Sequence, residues 1–387
     1  MADFTESIPS PGISTDVGGD QNVSDVPRAE SSTPSEYGNP LPPLHLFQHE
    51  GVMLKINILT HVHGLGLTRT VGVLSEALRR TGFRVTVTRF DRKWYLRAWR
   101  GRKRIPKLFG RQLHHYDVNI FLETPVADWF PTAWVNCLIP NQEWVRPDEV
   151  DVLPRLDWIL CKSDLAREIF ERHGLRAVRL GFSSVDRHDP AVRREPNSCV
   201  HIAGRSIQKG TLVLSRVWAR HPEWPTLVVY SQDQHMDVAP AANIRWVNSF
   251  LDDRKLRRVQ NTHTIHLCPS EAEGWGHYIV EAMSCKAVVV TTDAPPMNEI
   301  VVPSRGVLVP YSRTVPQGLG MCYYVDEGAL EKKIDEVLRM DPRERDSLGA
   351  NAREWYTEND LHFRELLKAL VEKIADSQGA STKNGRS

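Results

Sequence analysis

From Leu54 to Thr60 apolar and polar residues alternate, the period-two signature of a strand with one face buried. A turn containing Gly64 and Gly66 follows. From Thr68 to Arg80 the apolar positions Val71, Leu74 and Leu78 recur at helical spacing, which predicts an amphipathic helix, and Arg84–Thr88 alternates again. Strand, glycine turn, helix and strand make a parallel βαβ unit. The pattern continues with strands over 117–122, 134–140, 158–163 and 178–182 and a helix over 164–173. It loses its periodicity over 183–197, which reads as a hinge, and restarts with a strand over 199–203. A helix over 210–219 follows, then strands over 226–230 and 244–247, a short polar helix over 252–260 and an apolar strand over 264–269. After a helix over 277–285 come strands over 287–291 and 306–309, the latter expected to be the last. Helices are expected over 327–339, 343–356 and 361–374, the final one with Leu361, Leu366, Leu370 and Ile374 in phase. Two successive βα series predict an α/β protein of two Rossmann-like domains.

The expected organisation is a disordered tail over 1–45, an N-terminal Rossmann-like domain over 46–190 and a C-terminal one over 191–355. A helix over 356–376 and a polar tail over 377–387 complete it. The tail reading rests on composition: Ser, Pro, Gly and acids dominate residues 1–45, with too few large apolar side chains to offset the entropy of ordering. The whole chain carries 41% hydrophobic and 25% charged residues, enough apolar material for two cores. A net charge of +1 gives no whole-molecule field that would favour nucleic acid. The six cysteines form no Cys-x-x-Cys pair, and Cys199 and Cys268 fall in apolar runs, which suits buried thiols in a reducing compartment. No apolar run reaches the length of a membrane span, and no secretory signal opens the chain, so a cytoplasmic location is expected.

One segment breaks the even charge. Over residues 89–111, Arg89, Arg92, Lys93, Arg97, Arg100, Arg102, Lys103, Arg104, Lys107 and Arg111 stand against Asp91 alone, with Phe90, Trp94, Tyr95, Trp99 and Phe109 among them. Basic residues interleaved with aromatics fit an anionic surface: a membrane face, where the protein would dock peripherally, or a nucleic-acid strand. A solvated basic loop over the first domain is the plain alternative.

The chemistry concentrates in Ser270-Glu271-Ala272-Glu273-Gly274-Trp275-Gly276-His277, between a strand and a helix. Gly274 and Gly276 admit close backbone approach and positive φ, and a helix start attracts an anion. Glu273 stands at the mouth of this turn and Glu281 about one turn into the helix. A second glycine loop, Gly204-Arg205-Ser206-Ile207-Gln208-Lys209-Gly210, places two cations after the first strand of the second series, where they would flank a diphosphate.

Ser270, Glu273, Gly274, Trp275, Gly276, Glu281, Ala282 and Met283 match the Glu-x7-Glu signature of GT-B glycosyltransferases, and the chain resembles the retaining glycosyltransferase family 4. The 204–210 loop looks like that family's Gly-Arg-x-x-x-Lys-Gly. The resemblance covers about 198–310 most strongly and 53–182 more weakly. It implies two domains facing a cleft (GT-B), with the last helix returning to the first domain. It also implies transfer of a sugar from a nucleotide-diphosphate sugar to an acceptor, with retention, in glycan or glycolipid synthesis. Glu273, Arg205 and Lys209 would act in catalysis; Gly204, Gly274, Trp275, Gly276, His277 and Glu281 would bind the donor, Glu281 at the ribose.

The family's glycine turn in the first domain corresponds to Gly64 and Gly66, with His61 and His63 able to reach the cleft. Many members carry a histidine near the strand end at 140; here Asn141 and Glu143 stand there instead. Cys285-Lys286-Ala287 replaces the usual Gly-x-Pro, a change that concerns the helix stop. There is no Asp-x-Asp triplet, so no metal is expected, and no other cofactor. The acceptor would be lipid-linked or otherwise anionic, and no specific nucleic acid is expected. A sugar phosphorylase or nucleotide-sugar epimerase on the same fold, a non-catalytic scaffold, and a nucleic-acid- or membrane-binding protein using the 89–111 run are the alternatives.

Overall fold

The computed structural model describes residues 53–61, 64–90, 114–232, 241–249 and 251–384. The expected tail over 1–45, His63 and the part of the basic run from Asp91 to Arg111 lie outside the described residues.

Two six-stranded parallel sheets form the scaffold. The first contains β1 (Lys55–His61), β2 (Arg84–Phe90), β3 (Tyr116–Leu122), β4 (Ala133–Ile139), β5 (Trp158–Cys161) and β6 (Ala177–Arg179), in the order β2-β1-β3-β4-β5-β6. The second contains β7 (Glu195–Gly204), β8 (Leu227–Ser231), β9 (Ile244–Val247), β10 (His263–Cys268), β11 (Val288–Thr292) and β12 (Val307–Val309). Its order, β12-β11-β10-β7-β8-β9, reverses between β7 and β10. Helices α1 (Leu65–Arg80), α2 (Pro147–Val150) and α3 (Asp164–Arg172) belong to the first series. They are followed by α4 (Thr211–Ala219), α5 (Asp253–Thr262), α6 (His277–Ser284), α7 (Met297–Ile300), α8 (Glu327–Arg339) and α9 (Pro342–Asn384).

The register of the first sheet is pinned by a buried polar ladder. Asn57, Asn119 and Asn136 face one another on β1, β3 and β4. Asn57 donates to Asn119 (3.3 Å), Asn119 donates to Asn136 (3.0 Å), and Thr88 on β2 donates to Asn57 (2.8 Å). A slip of one residue would leave these amides unpaired in an apolar interior, so the ladder selects one alignment.

The two sheets do not have fully separate cores. Ile56, Ile58, Val118 and Val135 of the first sheet share a cluster with Tyr278, Ile279 and Met283 of α6 and with Tyr356, Phe363, Leu367, Val371 and Ile374 of α9. Helix α9 packs on α1, β3 and β4 as well as on α6 and β11.

Two expectations are corrected here. First, α9 is one continuous helix, not two with a break near 356–361, and it extends past Asp376; the sequence between has neither Gly nor Pro to stop it. Its buried stripe runs through Phe363, Leu367, Val371 and Ile374, while Leu361 is exposed. Second, β12 is not the last strand. An antiparallel hairpin, β13 (Tyr311–Gln317) and β14 (Gly320–Val325), follows it. Alternation over Tyr311–Gln317 is polar on both sides, so its burial pattern carried no strand signal.

Phe363 is fully buried, and its ring centroid lies 4.9 Å from that of Phe182 at the end of the first series. Phe363→Ala removes this contact from a region both sheets share and should destabilise the fold by about 3–5 kcal/mol. Urea denaturation followed by circular dichroism measures it; a loss under about 1 kcal/mol would show that α9 is not docked there.

Candidate active site

In open α/β sheets ligands gather where the strand order reverses, outside the carboxyl ends of the strands. In the second sheet that point lies between β7 and β10, and the two glycine-bearing segments follow those two strands. His201 on β7 holds them together: its ring nitrogens pair with the Leu267 carbonyl (2.7 Å) and the Thr211 hydroxyl (2.8 Å), at the start of α4. Burial lowers its pKa to about 4, so the ring is neutral and serves as a brace. Gly210 has φ +65°, and a Cβ there would overlap the Pro269 carbonyl; only glycine lets the two loops meet this closely.

The meeting point is an ion pair. The Lys209 ammonium contacts a Glu273 carboxylate oxygen, which also accepts from the Ser270 hydroxyl at 2.6 Å. That hydroxyl lies 2.5 Å from the Tyr278 hydroxyl, and Lys209 sits 4.1 Å above the Tyr278 ring. Both partners are largely shielded, so the pair operates at low dielectric, where its field is strong. Arg205 does not join it. Its side chain is exposed and donates to Gln232 at 2.7 Å.

The first sheet supplies the opposite wall. Asn141, after β4, donates to Glu123, after β3, at 2.7 Å, and accepts from Lys162, after β5. The Asn141 oxygen rests against Gly274, where a Cβ would overlap it. Gln142 donates to the Glu273 carbonyl at 3.4 Å. Glu143 is buried with one carboxylate oxygen lacking a hydrogen bond; burial, with Glu273 and Glu123 nearby, pushes its pKa up to about 7. Lys162 is buried too, and desolvation depresses its pKa against the pull of Glu123, Glu143 and Glu273. Three carboxylates and two ammonium groups thus share one interior region between the sheets.

The unexpected hairpin closes this region. Leu319 at its tip donates to the Gln142 carbonyl at 2.9 Å, and Tyr323 donates to the Glu271 carbonyl at 2.7 Å. Gln208, within the cationic loop, donates to Gln317 at 2.5 Å. At Gly318, φ is +56°, and a side chain would strike the Gln142 and Glu143 carbonyls. The hairpin therefore fastens the cationic loop and the Glu273 turn to the first sheet.

The remaining signature residues gather in a second cluster. The His277 ring bridges the Thr70 hydroxyl on α1 (3.0 Å) and the Ser184 hydroxyl (2.8 Å), and burial with surrounding cations depresses its pKa strongly. Glu281 is fully buried. It meets Arg69 on α1 at 3.2 Å and Arg187 at 3.6 Å, and accepts from Gln260 at 2.8 Å. Trp275 is buried beside Phe182. Gly276, at φ +86°, opens α6, and Gly204 ends β7 at φ +61°. Gly64, at φ +69°, opens α1, and open space surrounds both it and Gly66.

Sequence reading did not single out Glu123, Lys162, Gln142, Arg69 or Arg187. The first three follow strand ends on the cleft side, which is the one signal that pointed to them; the two arginines looked like ordinary helix and hinge cations.

The environment of Glu143 sets a pH dependence. Between its ordinary range and about 7 the folded chain keeps a proton the unfolded chain releases, so this position loses stability as pH rises through that window. Glu143→Gln removes the ionisation. Urea unfolding should show the variant gaining on the parent chain by about 2 kcal/mol between about pH 5 and about pH 8. A constant difference would mean that Glu143 titrates normally.

Comparison with known proteins places this geometry. Residues 238–355 match the family model of glycosyl transferases group 1. Alpha-maltose-1-phosphate synthase from Mycolicibacterium smegmatis is 28% identical over 161 residues, 40% of this chain and 39% of that protein, so the chain spans about two fifths of its curated relative. Among solved structures, a glycosyltransferase from Rickettsia africae superposes with a TM-score of 0.60 at 14% identity, covering 83% of this chain and 98% of that one. Anabaena HepE, solved with UDP and glucose, gives 0.58 at 15% identity over 86% and 100% of the two chains. A trehalose-6-phosphate protein from E. coli bound with UDP-2-fluoro glucose gives 0.57 at 10% identity over 83% and 99%. At these identities the structures establish the shared two-domain GT-B scaffold, and the sequence match to glycosyl transferases group 1 extends over residues 238–355.

Proposed function

We propose that this chain transfers a sugar from a nucleotide-diphosphate sugar to an acceptor hydroxyl, with retention of configuration. The observation that carries the reading is the Lys209–Glu273 pair, set at the strand reversal of the second sheet and faced by the first. Lys209 neutralises charge developing on the leaving diphosphate, and Arg205 adds a second cation after turning from Gln232. The amides of His277 and Tyr278 precede the first hydrogen bond of α6, from Ile279 to Gly276, and face the same anion. Glu273, once Lys209 engages phosphate, accepts hydrogen bonds from sugar hydroxyls. No nucleophilic side chain is invoked; the acceptor attacks on the face from which diphosphate leaves, and its hydroxyl proton passes to the departing diphosphate oxygen. The ribose contact of Glu281 requires the carboxylate to loosen from Arg69.

The wider assignments stay with this proposal: synthesis of a glycan or glycolipid, a lipid-linked or anionic acceptor, a cytoplasmic place and peripheral membrane contact. Among the described residues no helix is long and apolar enough to cross a membrane. Relatives and neighbours named for maltose-1-phosphate, for trehalose-6-phosphate and for complexes with UDP and sugars support a nucleotide-sugar donor and a hexose as the transferred group.

Lys209→Ala should lower turnover about a hundredfold, the effect of losing about 3 kcal/mol of preorganised charge. Glu273→Ala should leave affinity for the free nucleoside diphosphate near that of the parent chain while abolishing most transfer. Calorimetry with UDP and ADP and an assay of nucleotide release read both; wild-type turnover in either variant would sink the reading. Donor cleaved in the presence of phosphate, or epimerised, without any acceptor would instead favour the phosphorylase or epimerase alternative.

Chelation supplies a further test. With Lys209 and Arg205 carrying the charge, transfer should survive EDTA. Activity lost in EDTA and restored by Mg²⁺ or Mn²⁺ would contradict the proposed charge carriers.

A further inference from the structure

Lys162 directly follows β5, and its backbone is fixed from both halves of the chain. Ser163 caps α3 by accepting from the Ala166 amide at 3.1 Å, and Glu299 of α7 accepts from the Asp164 and Leu165 amides at 2.7 and 3.0 Å. The Lys162 side chain is only 5% exposed. An ammonium so buried is ordinarily held by a carboxylate. Among the described residues no carboxylate lies within ion-pair distance of this one, and the hydrogen bond it makes goes to the Asn141 side-chain oxygen.

That contact fixes an amide. The Asn141 nitrogen donates to Glu123 at 2.7 Å, so the flanking charges leave the group one orientation; turned over, it would set NH2 against an ammonium and oxygen against a carboxylate. The oxygen held in this way is the atom that rests on Gly274, beside Glu273. Glu123 anchors the far end with φ +66°, a strained backbone for a residue other than glycine, and such strain gathers at working sites. The charge matters as well. Glu123, Glu143 and Glu273 all attract the Lys162 ammonium. Glu273 is paired with Lys209, which on the proposed reading leaves it for the diphosphate. The other cations near this turn are engaged elsewhere: Arg69 and Arg187 with Glu281, and Arg205 with Gln232. His277 is kept neutral by burial and surrounding cations, and burial holds the protons on Cys161, Cys268 and Tyr278.

We propose that Lys162 is a positioning residue for sugar transfer: it holds Asn141 against the Gly274 turn and supplies the positive charge that faces Glu273 once Lys209 has moved to the diphosphate. The inference rests on the transfer proposed above and adds a role within it. Lys162 touches neither sugar nor nucleotide. It acts through Asn141 and through its field, which is little screened in so dry an interior.

The test is nucleotide release by the full chain from UDP-glucose and ADP-glucose across a pH series, beside calorimetry with UDP and ADP. Lys162→Met keeps the apolar stem and removes the charge. It should lower kcat about tenfold while the free nucleotide binds within about threefold of the parent's affinity. Without the cation the three carboxylates take up protons more readily, so the acid limb of its kcat profile should move up by about one pH unit. Lys162→Arg retains the charge and should keep the parent's acid limb whatever its turnover. Asn141→Ala breaks the bridge and leaves the charge; it should lower kcat about tenfold with the acid limb in place. A lysine that only supported the fold would lower the melting temperature or kcat without moving the limb. An unmoved limb in Lys162→Met overturns the role of the charge, and parent turnover in Asn141→Ala overturns the role of the bridge. Were Lys162→Met to misfold, the other two variants decide, a shifted limb in Lys162→Arg or parent turnover in Asn141→Ala overturning the proposal. A parent chain that releases nucleotide from neither donor overturns the transfer reading and this role with it; a parent that turns over beside unchanged variants overturns this role alone.

Discussion

The arrangement of the two sheets depends on one buried carboxylate. Glu281 has no exposure, and a charge so placed is tolerated only if it is paired and hydrogen-bonded. Its partners come from three other places in the chain: Arg69 on the first helix, Arg187 on the segment joining the sheets, and Gln260 on the helix before β10. Removing both arginines would leave the charge stranded in the interior. The carboxylate therefore fixes how α6 meets α1. His277, four residues earlier on the same helix, adds two neutral hydrogen bonds across the same boundary.

Glu273, eight residues before, shows how environment divides two identical side chains. It precedes the helix, keeps a lysine partner from its own half of the chain, and lies where the first sheet's strand ends converge. One glutamate organises the halves; the other is left facing the space between them. The glycines serve this division. Gly210 brings the Lys209 loop onto Pro269, Gly274 admits Asn141, and Gly318 lets the hairpin reach the Gln142 and Glu143 carbonyls. At each of these a methyl group would push apart surfaces that have to touch.

The scaffold was legible because parallel strands buried on both faces read as apolar runs, and their order follows from βαβ connections. The Lys209 and Glu273 segments were legible because turns that bring backbones into close contact require glycine at fixed places. What was not legible depends on distance along the chain. Arg69 and Glu281 are far apart in sequence, and nothing local marks either as the other's partner. Arg205 has the right place in its motif, yet its side chain turns outward to Gln232, a rotamer choice that no spacing encodes. The hairpin was missed because β13 is exposed along most of its length, so neither face carries an apolar period. The break expected in α9 came from reading Leu361 as the start of a buried stripe, whereas the stripe is offset and continuous.

The hairpin changes what the cleft can do. In a two-domain α/β protein whose halves share only a hinge, closure is set by ligand contacts made after binding. Here the Leu319 and Tyr323 amides tie the first sheet to the Glu271–Glu273 turn before any ligand enters. Each such bond is worth on the order of 1 kcal/mol. With Gln208 bonded to Gln317, the cationic loop belongs to the same connected unit. On the proposed reading, a donor entering this site finds Lys209 already oriented and already desolvated, held by a carboxylate that can pass it to phosphate. The lysine exchanges one anion for another and does not have to be stripped of water at that moment. That lowers the reorganisation cost of binding and leaves Glu273 free to receive the sugar.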